Sequence, residues 1–226
     1  MKRLMVLLSL LLVSFGLFSC RDAKPVAVAD PQVQTGDLLF VGIPVNYGED
    51  SMAQAIADAT SSGDTINFIH TAVLEVDSLG AIWVIDATLA HGVDRHPLDT
   101  LFSDFILHRG GTATFEVMRL EDNREARRYV ELSRALLGEE YDLYFLAGNG
   151  KHYCTELVYD LYVRHDGSHV FDCVPMNFKN AKGEMPAYWT RLFALLGESV
   201  PQGQPGTNPQ QIHASPQLRH VMYLHP

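Results

Sequence analysis

Three side chains far apart in the chain have types and positions that suit nucleophilic catalysis: Cys154, His70 and Asp86. A cysteine attacks a carbonyl when its thiol ionises readily and a base lies within reach, and the positive end of a helix supplies part of the first condition. Cys154 stands where a helix is predicted to begin, and Leu157, Val158 and Leu161 follow at helical spacing, so its thiol shares the inward face. The plainer readings are a buried cysteine acting as a small hydrophobe, or a disulfide with Cys173.

His70 lies in the run Ile66 to Val76, where strand parity groups it with Phe68, Ala72, Leu74 and Val76. On that apolar face an imidazole is either a satisfied core residue or a base at the edge of a packed site. Asp86 favours the second option. It shares parity with Ile82 and Val84 in the next strand, and a carboxylate on an apolar face needs a partner. Direct opposition requires paired residue numbers that sum to 156, as in Val76 opposite Gly80. A slip of one residue turns Asp86 to the other face. Glu75, the alternative carboxylate, falls on the side away from His70.

The elements that must position these groups read as follows. A strand runs from Leu38 to Val41, a helix from Ser51 to Thr60, and a hairpin joins Ile66–Val76 to Ala81–Ala87 through Asp77-Ser78-Leu79-Gly80. His96-Pro97 is predicted to start a short helix through Leu107, stopped by Gly110-Gly111 before a strand from Ala113 to Leu120. Asn123 to Leu137 is the clearest amphipathic helix, and Gly138 sits at its exit. Tyr141 to Phe145 reads as a short extended piece, Cys154 to Arg164 and Pro186 to Leu196 as helices, and Leu218 to Leu224 as a closing strand. Hairpins flanked by helices indicate an α+β fold with a mainly antiparallel sheet.

With those elements in order, the chain resembles the permuted NlpC/P60 enzymes of the YiiX or YaeF type, which are permuted papain-like amidases. The resemblance rests on Gly36-Asp37-Leu38-Leu39-Phe40, on Ser51 with Gln54-Ala55-Ile56 and Thr60, and on His70-Thr71-Ala72-Val73. It continues through Ile85-Asp86-Ala87, Tyr141-Asp142 and Tyr153-Cys154-Thr155-Glu156-Leu157-Val158. Histidine first, third polar residue next and cysteine last is the permuted order. Two departures stand out: Ile69 precedes the histidine where the family often has a small residue, and Asp86 replaces a frequent Glu.

The resemblance implies a circularly permuted papain-like fold over residues 36–226, with Cys154 as nucleophile and His70 as base. It further implies Asp86 as the group that orients the ring, the Cys154 backbone N–H as an oxyanion donor, and no cofactor. Glu156 is expected to serve the helix start, and Tyr141 and Tyr153 to line the cleft or to pack. A cell-wall peptide or related amide is the first expected substrate class. An acyl lipid, cleaved or transferred, is the second, and a catalytically silent binding module is a third reading.

Lys2 and Arg3 precede an apolar run from Leu4 to Phe18, too short to span a ~30 Å hydrocarbon core. Residues 1–19 therefore read as a signal peptide. Leu17-Phe18-Ser19-Cys20 resembles a bacterial lipobox, which implies a lipid-anchored Cys20, a tether over residues 20–35, and residence in the outer membrane of a bacterial envelope. Loss of residues 1–19 moves the formal charge from −10 to −12, and no basic cluster longer than Arg127-Arg128 remains, which argues against nucleic acid as a partner. At 47% hydrophobic and 19% charged residues the chain is globular in composition and suits one domain. His165, His169 and Cys173 have spacings that could ligate zinc, but Gly167 interrupts them and no metal is expected. His91, His96 and His108 read as surface or packing residues, and neither a phosphate loop nor a dinucleotide fingerprint is present.

Overall fold

The computed structural model describes residues 32–45, 47–48, 50–107 and 112–226. The signal peptide, Cys20, His108 and the Gly110-Gly111 pair lie outside the described residues.

Six strands form one antiparallel sheet: β1 (Leu38–Pro44), β2 (Ile66–Val76), β3 (Ile82–Thr88), β4 (Gly92–Pro97), β5 (Thr114–Leu120) and β8 (Leu218–Leu224), in the order β4-β3-β2-β1-β5-β8. A two-stranded ribbon, β6 (Val174–Pro175) with β7 (Pro205–Gly206), lies apart from it. The helices are α1 (Met52–Thr60), α2 (Leu98–Asp104), α3 (Ala126–Ala135), α4 (Cys154–Leu161), α5 (Ala187–Leu196) and α6 (Pro209–His213).

Alternation along the strands divides the core into two layers. Leu38, Phe40, Val73, Ile85 and Met118 face α3, α4 and α6 through Tyr129, Val130, Leu157, Val158 and Ile212. Leu39, Val41, Ala72, Leu74, Ile82 and Val84 face α2 through Leu98 and Leu101. Each such side chain, wholly removed from water, stabilises the fold by about 1.5–3 kcal/mol. The sheet is thereby fixed in place under α4, the helix that begins with Cys154.

The start of β1 is anchored by polar contacts. Asp37, buried, accepts hydrogen bonds from Arg119 Nε at 2.6 Å and Nη2 at 2.7 Å, which joins the entry of β1 to β5. Gly36 has φ +88°, and a Cβ there would lie 2.5 Å from the Ala126 Cβ of α3. Both backbone conformation and space demand glycine at this position.

Two expected elements differ. No helix starts at His96: residues 92–97 form β4, paired with β3 from Trp83↔Pro97 to Thr88↔Gly92, and α2 begins only at Leu98. The sequence of β4, Gly-Val-Asp-Arg-His-Pro, lacks the apolar alternation that marks a strand, and cross-strand pairing overrides that weak local signal. Tyr141 to Phe145 is not a strand but a loop with one isolated bridge, Tyr141↔His152, and Phe145 has φ 53°. Asp142 organises it, accepting from the Tyr144 and Leu146 backbone N–H groups at 2.8 Å each.

Candidate active site

Asp86 reaches His70 across two neighbouring strands, in a register different from the expected one. Val76 pairs with Ile82 and Val73 with Ile85, so paired numbers sum to 158. The reason lies in the hairpin. Asp77 N–H bonds to the Ala81 carbonyl at 3.0 Å, Gly80 N–H turns back to the Asp77 carbonyl at 3.1 Å, and Gly80 holds φ +82°. Gly80 supplies the left-handed turn residue and is not a paired strand residue. The shift is two residues, so the face is unchanged. Asp86 sits diagonally from His70, one step beyond Ile85 in the direction of Ala72, and its Oδ2 lies 2.6 Å from His70 Nε2.

A bulge at Ile69 refines the expected strand face. Val41 pairs with His70, but the next pair is Gly42 with Phe68, which leaves Ile69 as an extra residue in β2. Phe68 therefore packs with Phe40 and the α4 layer, whereas Ala72 and Leu74 pack in the α2 layer. His70, buried, rests its ring against Phe105 at a centroid distance of 5.0 Å.

The second carboxylate oxygen of Asp86 is also used. His96, which faces the same carboxylate from β4, places Nε2 3.1 Å from Asp86 Oδ1 and Nδ1 3.1 Å from the Pro97 carbonyl oxygen. Both neighbours are acceptors, so both ring nitrogens donate and His96 is an imidazolium. This residue, read from sequence as surface or packing, is buried and belongs to the site. Its only sequence signal, even spacing in a strand, was concealed by the charged neighbours Asp94 and Arg95.

Cys154 is the first residue of α4 and is buried. Glu156 reaches back to the Tyr153 N–H at 3.4 Å, at the start of this helix. Burial, then the charges of Asp142 and Asp160, push the Glu156 carboxyl up to about 8, so it is protonated at neutral pH. The Cys154 thiol lies beside the His70 ring, near enough to act on its proton affinity. With Nε2 committed to Asp86, the ring nitrogen left for sulfur is Nδ1.

Burial alone would lower the affinity of His70 for its second proton. Charge interaction with Cys154 and the hydrogen bond to Asp86 outweigh burial and push the ring up to about 10. Asp86 is subject to the reverse balance: burial raises its carboxyl, yet hydrogen bonds from His70 and His96 hold it at about 2. The result is one buried row of side chains: Cys154, His70, Asp86 and His96.

Glu75 takes no part. It binds Arg95 Nε at 2.9 Å and Arg134 Nε at 3.0 Å, tying β2 to β4 and α3. Cys154 and Cys173 are both free thiols, and Cys173 is exposed. His169 stacks on Tyr159 at 4.0 Å while His165 faces Glu125, so the spacing around Gly167 gathers no metal ligands.

A cleft opens beside Cys154, walled by Tyr141, Phe145, Tyr153, Met176, Phe178 and Trp189. Its interior is narrow, about 40 Å³, and opens into a wider mouth. These walls come from segments scattered over the second half of the chain, with no local pattern to announce them.

Residues 32–222 match the family model described as permuted papain-like amidase enzyme, YaeF/YiiX, C92 family. The uncharacterized protein YiiX of Escherichia coli strain K12 is 25% identical over 193 residues, covering 84% of this chain and 86% of that protein. The crystal structure of the metalloprotein YiiX from Escherichia coli O157:H7 superposes with a TM-score of 0.65 at 23% identity, over 86% of this chain and 99% of that one. As to a metal in the present chain, Asp86 spends both oxygens on imidazoles and His96 both nitrogens on Asp86 and Pro97. That leaves His70 Nδ1 and one sulfur, short of the four donors of a typical zinc site. With its sheet, its histidine-before-cysteine order and the match over residues 32–222, this chain belongs to the YaeF/YiiX family of permuted papain-like amidase enzymes.

Proposed function

We propose that the chain hydrolyses an amide or related acyl bond through Cys154, His70 and Asp86, by way of an acyl-enzyme. The observation that carries this reading is His70, its Nε2 2.6 Å from the Asp86 carboxylate and its ring beside the thiol of Cys154.

The thiolate forms a bond to the acyl carbon, and the oxyanion meets the Cys154 backbone N–H in the first turn of α4, where helix N–H groups lack internal acceptors. As the C–N bond breaks, His70 gives its Nδ1 proton to the leaving amine and becomes neutral. Water then attacks the thioester, its proton passes to His70, and rupture of the C–S bond releases the acid and restores thiolate and imidazolium. Asp86 holds the ring in the orientation that points Nδ1 at sulfur, and His96 holds Asp86.

The test is intact and peptide mass spectrometry after incubation with a bacterial envelope extract. A covalent acyl adduct on Cys154 is expected. An inert Cys154 that also resists alkylation would instead mark a binding module.

The substrate is proposed to lie in the cell envelope, either a cell-wall peptide or an acyl lipid, because Leu17 to Cys20 resembles a lipoprotein processing site. The mature protein is expected to begin at a lipid-modified Cys20 and Cys20→Ala to become soluble. Recovery of an unmodified N-terminus at a later residue overturns the anchor.

A further inference from the structure

The cleft beside Cys154 combines two properties. Among the described residues no Asp, Glu, Lys or Arg lines it. Two charged groups adjoin its aromatic wall in sequence: Asp142 is buried and already accepts two backbone N–H bonds, and Lys179 is exposed and outside the lining. A charged substrate group entering here would find no counter-ion, and burying an unpaired charge is strongly unfavourable.

The second property is polar. Trp189 lines the cleft and is about 2% exposed, yet its Nε1 has no hydrogen-bond partner among the described residues, whereas the side chain of Thr207, on the same wall, lies beside the Tyr153 hydroxyl. The indole is held in place by edge-to-face contacts with Phe145 at 5.5 Å and Phe178 at 5.1 Å. Thr207 is fixed by its own backbone N–H, which donates to the Tyr153 hydroxyl at 3.1 Å. Preceding it, Gly206 leaves no room for a side chain: a Cβ would lie 2.1 Å from Met176 Sδ and 2.9 Å from the Tyr153 hydroxyl. The indole N–H is thus rigidly placed. An indole N–H only donates, so what satisfies it must be an oxygen or nitrogen acceptor.

We infer that the cleft receives an uncharged acyl group bearing one internal hydrogen-bond acceptor, such as the carbonyl of an N-acylated amino acid, and that the Trp189 indole N–H reads that acceptor. The inference rests on Cys154 being the acylated residue. It narrows the substrate toward neutral acyl-amino-acid or acyl-amide groups. Anionic cell-wall peptides are disfavoured by the uncharged lining. Plain hydrocarbon chains leave the indole N–H unpaired, and such a loss is costly in a buried site.

The experiment uses the full chain and three p-nitrophenyl esters: N-acetyl-phenylalanyl, 3-phenylpropanoyl, which has the same ring without the second carbonyl, and glutaryl, which carries a charge. Acylation of Cys154 is followed by mass, and each rate is divided by that of the same ester with a small free thiol. The N-acetyl-phenylalanyl ester is expected to exceed the phenylpropanoyl ester by about tenfold, the scale of one buried hydrogen bond. Glutaryl is expected to be slowest, by about a hundredfold.

In Trp189→Phe the ratio between the two neutral esters should fall toward one. Glutaryl transfer as fast as the neutral esters, or an unchanged neutral ratio in Trp189→Phe, overturns the inference while leaving Cys154 as nucleophile. If no ester reaches Cys154, the hydrolase reading fails first and the inference falls with it.

Discussion

Cys154→Ala and His70→Ala are each expected to lower kcat/KM by about 10⁴-fold or more, with the double variant no worse than either single one. In the proposed mechanism Cys154, His70 and Asp86 act as a unit. Without the sulfur no acyl-enzyme forms, and without the ring no group delivers a proton to the departing nitrogen. The non-additivity separates this mechanism from two independent binding contributions, whose losses would multiply. Cys154→Ser should also be poor, because a hydroxyl ionises far less readily than a thiol. Both substituted side chains are buried, so circular dichroism and thermal unfolding must accompany the kinetics. A folded Cys154→Ala protein retaining activity within tenfold of the parent would sink the mechanism.

Much of this site was legible in the sequence because each clue had a physical cause. Cys154 announced itself by the apolar face of Leu157, Val158 and Leu161, which α4 buries against the sheet. Asp86 was betrayed by its position among Ile82 and Val84, where an unpartnered carboxylate would be untenable. The register was misjudged because Gly80 was counted as a strand residue, when its positive φ makes it part of the turn. Parity survived only because the error was even. His96 and the bulge at Ile69 were hidden for another reason. Both are products of cross-strand pairing, which no local pattern encodes when a strand is short and polar, as β4 is, or when one residue is inserted into an otherwise regular alternation. The aromatic wall of the cleft escaped too, since Phe145, Phe178 and Trp189 meet only after the whole second half of the chain has packed.

Asp86→Asn is expected to leave the protein folded at neutral pH and to reduce kcat by about 10²- to 10⁴-fold, the upper figure being what loss of the orienting carboxylate costs in a serine–histidine–aspartate site. The carboxylate accepts from two imidazoles, one at each oxygen. A carboxamide has one acceptor and one donor end, so it can satisfy only one ring as it stands. If its NH₂ end faces His70 Nε2, that nitrogen must lose its proton, and the remaining proton on Nδ1 blocks uptake from the thiol. If its oxygen faces His70, His96 must become neutral, and the negative charge that supports the His70 cation is gone either way. The pH dependence follows with a definite sign. His70 is raised to about 10 by the Cys154 charge and Asp86, so in the parent the imidazolium form, and activity with it, should be lost on the alkaline side near 10. Removing the Asp86 contribution lets burial count for more, and the alkaline limb should move to lower pH. Stability changes in the matching direction. The raised His70 stabilises the fold fully below its unfolded value of ~6.5 and loses that contribution as pH rises through about 10. The lowered Asp86 contributes above its unfolded value of ~3.9, and that contribution is lost as pH falls through about 2. The variant should therefore lose the parent's advantage in thermal stability at neutral pH and converge with it in strong acid. His96→Gln, which keeps a donor toward Asp86 but carries no charge, should retain most of kcat and shift the alkaline limb upward, because Asp86 then pairs more strongly with His70. An alkaline limb that stays in place in both variants would show that Asp86 and His96 serve packing alone.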